Sequence, residues 1–418
     1  MLKFKQNDIR NAVIVLLVVF SSLLNFKVDG REVFLWMQIL FCAYMGLTTS
    51  TAKILPYEGV NLWFGCIVMC TCGAVFSGMP ASWVKAAVVM GIYMVPFYFA
   101  VSYLHGLIKE DPKILRFVIL GIKIMCLIQL IWIPLQYIAY HYFQLDLNKI
   151  LFYDILHMTA TEEGATFIRD WRYHPSGMTW HSAILGPVFL LALLLFKKPF
   201  VKCIAVADVL ICGNSTALVC VLLCLGMQIL HCIYKGSIRL KVYQLTLIAV
   251  AVVTAVIVGS HFGLFTVFTD AIVRLATRLL SANSDASTAA HFAYFTDYPV
   301  VAGKIPVFQL LFGTGLGSSG YQYSLLYNRY TNLPSWAVEC DVVDILISKG
   351  IVGFVSHYGL LIYIAVKGVK IDFRYMIFML ALLIGGVGYN IQFHYVIMIE
   401  LLLFICIKYR INFFDVNI

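Results

Sequence analysis

Apolar runs recur almost from one end of the chain to the other, near residues 11–28, 33–50, 60–77, 83–104, 114–140, 179–196, 200–212, 216–234, 242–260, 351–366, 373–390 and 391–408. A run of about 20 apolar residues spans a bilayer as a helix, and inside lipid only helices and closed barrels satisfy every backbone N–H and C=O. The sequence therefore predicts an all-α, polytopic membrane protein of about 12 transmembrane helices, one integral membrane domain over residues 1–418. Composition agrees: 61% of residues are hydrophobic and 12% charged, whereas soluble domains carry about 45–50% and about 25%. Some runs are short, and the break at CGNST (212–216) predicts a turn within a helical hairpin that stops before the far surface.

Thirty Lys and Arg against 21 Asp and Glu leave a net charge of +9. No basic tract is present, so the charge points to topology and not to nucleic acid. Most of the positives fall in short loops that the positive-inside rule assigns to the cytoplasm, with both termini on that side. The basic, apolar start lacks a small-residue cleavage site and is expected to remain as the first span. The twelve cysteines lie in or beside spans and are expected to be buried thiols, neither bridges nor metal ligands. On the outer side stand two long loops, 141–178 and 262–349, the second with short helices. They hold most of the non-apolar sequence, so any chemistry is expected there.

No GxxxxGK[ST], HExxH, CxxC or GxSxG motif occurs, which removes the local signatures of nucleotide-driven, zinc-peptidase, thiol-redox and nucleophile-elbow chemistry. The ten histidines show no i, i+3 or i, i+4 pairing, so no metal site is expected. In the first outer loop, IRDWRYHPSGMTWHSAILG brings Arg169, Asp170, Arg172 and His174 to the start of a span. Guanidinium forks at a helix N-terminus suit phosphate oxygens; lipid headgroups or Asp170 would satisfy them equally. In the second loop, Arg274 and Arg278 share one face of a short amphipathic helix, suited to a dianion or to a headgroup stripe. Gly313, Gly315 and Gly317 lie in a turn-rich segment that is weak as a phosphate cradle. Glu339, Asp341 and Asp344 precede a late span, and their spacing lets at most two share a face. One of them could serve as a general base, or as an arginine partner. Lys85, Lys123, Asp208 and Glu400 fall within spans, where charge is costly. Aromatic residues of the outer loops (Trp171, Tyr173, Trp180, Tyr321, Tyr323, Trp336) suit sugar stacking or an interfacial belt.

Four segments in order, RYHPSGMTWHSAILG, ICGNSTALVCVLL, LLFGTGLGSS and VECDVVDILISKGIVGF, resemble the bacterial surface-polysaccharide enzymes that include the O-antigen polymerases and O-antigen ligases. The resemblance covers about residues 165–370. It implies a GT-C-like fold in the bacterial inner membrane, and inverting, metal-independent glycosyl transfer at the outer face. It implies an undecaprenyl-diphosphate-linked glycan as both donor and acceptor, with no cofactor. Carried over by position, Arg172 and Arg278, with Arg274 and Arg169 beside them, would bind the diphosphate. Glu339, with Asp341 as substitute, would activate the acceptor. His174, His291 and Trp336 would contact glycan, although His291 stands where many members carry arginine. Ligases show a His-Asn pair where this chain reads Glu339-Cys340-Asp341, so the expectation is a polymerase joining lipid-linked repeat units, with a chain-length regulator as an accessory partner. The rivals are a ligase transferring polymer to lipid A-core and a flippase or permease for lipid-linked sugar.

Overall fold

The computed structural model describes residues 6–23, 27–28, 31–48, 58–158, 168–169, 172–179, 182–235, 286–327, 338–389 and 394–416. Within these the chain is helical, apart from two antiparallel pairs of two-residue strands, Lys27–Val28 with Arg31–Glu32 and Ile168–Arg169 with Arg172–Tyr173. The first eight helices are α1 (Gln6–Phe20), α2 (Val33–Thr48), α3 (Glu58–Val75), α4 (Ala81–Glu110), α5 (Leu115–Phe143), α6 (Gly186–Leu195), α7 (Pro199–Cys212) and α8 (Ser215–Tyr234). Then come α9 (Ala286–Ala302), α10 (Val307–Phe312), α11 (Ser319–Tyr327), α12 (Asp341–Ser348), α13 (Gly350–Gly368), α14 (Phe373–Gly388) and α15 (His394–Lys408). Four apolar helical stretches are long enough to cross a membrane: Ala81–Glu110, Pro112–Phe143, Thr216–Tyr234 and Gly350–Gly368. The expected span at 242–260 lies outside the described residues.

All ten residues of α6 are buried, which makes this short helix the axis of the bundle. Helices α5, α7, α8 and α14 enclose it. Two lipid-like surfaces gain little by meeting, so such packing relies on close backbone approach. Small residues supply it: a methyl at Gly121 of α5 would lie 2.8 Å from Cβ of Val18 on α1, and one at Gly91 of α4 would strike Thr71 on α3. Leu40, Leu62, Ile131, Val355 and Ile362 remain exposed around the outside, the pattern of helices bathed in lipid. All twelve cysteines are free thiols, but Cys72 and Cys203 are exposed, so the expectation of universal burial fails for these two. They ride on outward faces, where lipid takes the place of protein.

The C-terminus of α6, the α13–α14 turn and the chain end meet at one end of the bundle, here called the basic end. Arg374 organises it. Its guanidinium donates to Asp372 (Nε to Oδ1 3.0 Å, Nη2 to Oδ2 2.6 Å), to Asp415 Oδ1 (2.5 Å), and to the carbonyls of Leu194 and Phe414. Tyr375 donates to Ile411 O and accepts from Phe413 N, while His105 near the end of α4 joins Tyr409 at 2.9 Å. Arg374→Ala is expected to cost about 1.5–3 kcal/mol, the range for hydrogen bonds to charged groups, read as a lower unfolding midpoint in detergent. Burial alone would raise the Asp372 carboxyl, but donors from Arg374 and Asn412 outweigh it and hold the group below its usual value. A depressed carboxylate stabilises fully above its unfolded pKa of about 3.9 and loses that contribution as pH falls through the lower folded value. The acid limb of a stability profile should therefore flatten in Arg374→Ala.

Candidate functional site

Opposite the basic end, four chain segments converge. Helix α7 stops at Gly213, whose φ of +64° is the left-handed cap that glycine adopts freely, and Asn214 then caps α8 by accepting from Ala217 N at 2.8 Å. The CGN triplet is thus a tight helical hairpin, as the break in apolar pattern predicts. At 14 residues, α7 rises only about 21 Å. Its blunt end is covered by His174: Nδ1 lies 3.1 Å from the carbonyl of Cys212. A carbonyl only accepts, so Nδ1 carries the proton, and in the neutral ring the lone pair sits on Nε2. Any side chain at Gly213 would meet the imidazole at about 3.1 Å.

The residues after His174 do not run over the surface. Pro175, Ser176, Gly177 and Thr179 are buried, and a non-helical backbone at that depth needs protein partners. Helix α5 supplies them. Gln136 Oε1 accepts from Gly177 N at 2.8 Å and Gln129 Oε1 from Met178 N at 2.7 Å. Asn148 donates to Ser176 Oγ (3.2 Å) and Gly177 O (2.9 Å), and Trp132 orients Asn148 through a 2.8 Å bond. Tyr173 is buried and stacks on Tyr140 at 4.1 Å. Burial pushes its phenol up, Asp146 adds to this, and the Gln136 amide opposes it in part, so Tyr173 stays protonated.

The glycine segment 313–320 is likewise buried. Thr314 N donates to Ile347 O (2.9 Å) and Gly315 N to Ser348 O (3.0 Å), satisfying the carbonyls that end α12. These N–H groups are engaged in capping a helix, which accounts for the weak match to a phosphate cradle. The same segment holds Asp344: Ser319 Oγ donates to Asp344 Oδ1 (2.5 Å) and accepts from Val338 N (3.1 Å). Asp341 and Asp344 occupy the first turn of α12 and are buried, whereas Glu339 just before it is exposed. The helix N-terminus favours both buried carboxylates. The Cys340 thiol just before them is pushed up to about 11 by burial and remains neutral.

Helix α14 ties the halves together. A methyl on Gly386 would lie 3.0 Å from Asp341 Oδ2, and one on Gly388 would lie 2.9 Å from Thr216 Oγ1. His174, the α7–α8 turn, the end of α14 and the start of α12 therefore form one continuous polar end. Below it, an apolar crevice runs between Gly186 and Leu190 of α6, Ala217 of α8 and Leu382 of α14. No known protein family and no curated protein matches this sequence.

Of the residues singled out from sequence, His174 lies on the α7–α8 turn and Glu339 and Asp341 at the start of α12, the two places being bridged by the end of α14. Arg169 and Arg172 stand opposite one another in the short ladder, and His291 falls in α9; only the backbone of these three is described. Arg274, Arg278 and Trp336 lie outside the described residues. Lys85 is exposed in the second turn of α4, near the start of the Ala81–Glu110 span. Lys123 lies toward the basic end, within electrostatic reach of Lys197. Asp208 and Glu400 are each 1% exposed and face protein. Tyr358 of α13 lies near Asp341, Asp344 and Glu400; buried His357 sits on the same helix and buried Lys349 just before it. Among the described residues no three His, Cys, Asp or Glu side chains meet as a metal site would need. Gln129, Gln136, Asn148 and Lys349 drew no attention as site residues; the available signal was two amides seven residues apart, two turns along one face of an apolar helix.

Proposed function

We propose that this protein is a bacterial inner-membrane polymerase that joins undecaprenyl-diphosphate-linked repeat units, with the basic end in the cytoplasm and the polar end outside. The observation that supports this reading is the convergence of the four resembling segments at one end of an apolar bundle. In the proposed reaction the acceptor sugar hydroxyl attacks the anomeric carbon of the donor. The bond to the diphosphate oxygen breaks with inversion, undecaprenyl diphosphate leaves, and the hydroxyl proton passes to a carboxylate. Glu339 suits that role because it is open to an acceptor arriving from outside, while buried Asp341 beside Gly386 shapes the field around it. Arg172, Arg169, Arg274 and Arg278 would neutralise the leaving diphosphate.

The test is incubation of the purified protein with one defined undecaprenyl-diphosphate repeat unit and no other protein, with products resolved by size. A ladder of whole repeats is expected. Transfer only when lipid A-core is added would indicate a ligase instead. Movement of the unit across a vesicle membrane without bond formation would indicate a carrier, and either result overturns the polymerase reading.

A further inference from the structure

Residues 172–179 carry the outer-loop cation and imidazole of the site, yet they are held from inside the membrane domain. Gln136 and Gln129 of α5 are both fully buried, and each spends its side-chain oxygen on a backbone amide of the loop, at Gly177 and Met178. Amide donors require the oxygen, which fixes the orientation of both side chains. The loop has no slack at this point. Gly177 has φ +65°, and a side chain there would strike Gln129 Oε1 and come within 3.3 Å of Leu185. Asn148 holds the other face of the same glycine through its carbonyl. Four residues upstream, Tyr173 is buried and stacked on Tyr140. His174 therefore has fixed points on both sides before it meets Cys212 O.

We propose that Gln136 and Gln129 are positioning residues, which clamp the re-entrant loop at Gly177 and Met178 and thereby set the register of His174 over the α7–α8 turn. The proposal rests on the polymerase reading for its chemistry, but the clamp itself is a property of the fold. A misplacement of about 1 Å at a reacting group costs on the order of 10²-fold in rate, so loss of the clamp should fall on turnover more than on substrate affinity.

Two measurements on the full-length protein in detergent test it together. Hydrogen exchange of the peptide containing residues 173–179 should speed up at least tenfold in Gln136→Leu and in Gln129→Leu, with exchange in α13–α14 unchanged. Polymer formation from the defined repeat unit should fall at least tenfold in kcat with KM changed less than threefold. Gln136→Glu keeps an oxygen acceptor for Gly177 N and should restore both readouts to within a factor of three of wild type. Unchanged exchange in the leucine variants would overturn the clamp. Faster exchange with full turnover would show that the loop needs no fixed register. A wild type that makes no ladder would sink the polymerase reading and with it the catalytic half, while the exchange result would still decide whether these glutamines hold the loop.

Discussion

Glu339→Gln is expected to lower polymer formation about 10²–10⁴-fold, the range that general acid–base catalysis contributes, while leaving the protein folded. Glu339 is exposed just before α12, the amide is isosteric with the carboxyl, and surface substitutions of this kind usually stay within about ±0.5 kcal/mol. A loss of product without loss of stability would therefore report chemistry. Asp341→Asn provides the contrast. Asp341 is buried against Gly386, so its amide should reduce both activity and the unfolding midpoint. Arg172→Ala is expected to weaken turnover by removing a cation from the leaving diphosphate, with an effect of similar order to other lost transition-state donors, about 10²–10³-fold. Product ladders and thermal unfolding on the three variants separate these roles. Full activity in both acid variants would remove α12 from the chemistry, and a folded but inactive Asp341→Asn beside an active Glu339→Gln would move the base to Asp341.

Gly313→Ala and Gly350→Ala should each prevent accumulation of folded protein, a destabilisation above about 4 kcal/mol. Gly313 has φ +91°, and an added methyl would run into Ser348 O and lie 2.6 Å from Lys349 Cα. Gly350 has φ +69°, and its methyl would strike Leu311 O and lie 2.5 Å from Gly313 N. Both obstacles are backbone, which cannot swing aside as a side chain can. Relief would require breaking the Thr314 N to Ile347 O and Gly315 N to Ser348 O bonds that cap α12, exposing carbonyls where no water replaces them. Gly359 is the control, since a methyl there meets nothing within 4 Å. Gly359→Ala in α13 is expected to be neutral or stabilising by up to about 1 kcal/mol. Size-exclusion profiles and yields in detergent check all three. A folded Gly313→Ala with normal yield would show that the glycine segment does not pack on α12 as described.

Apolar run length was enough to read the chain as a helical membrane protein, because lipid forces each spanning segment to satisfy its own backbone, and that requirement is local. The Gly213–Asn214 break was legible for the same reason: a left-handed cap followed by an N-cap is written in adjacent residues. Helical spacing around α12 showed that Glu339, Asp341 and Asp344 cannot all share a face, but not which of them would be buried. Sequence did not reveal that segments 175–179 and 313–320 fold back into the bundle, since both look like polar, turn-rich surface loops. Their burial depends on Gln129 and Gln136 some forty to fifty residues upstream of the first, and on Ile347 and Ser348 about thirty residues downstream of the second. Where a polar atom finds its partner is decided by which helices become neighbours. That choice belongs to the tertiary structure, as does the selection of Asp341 for burial and of Glu339 for exposure.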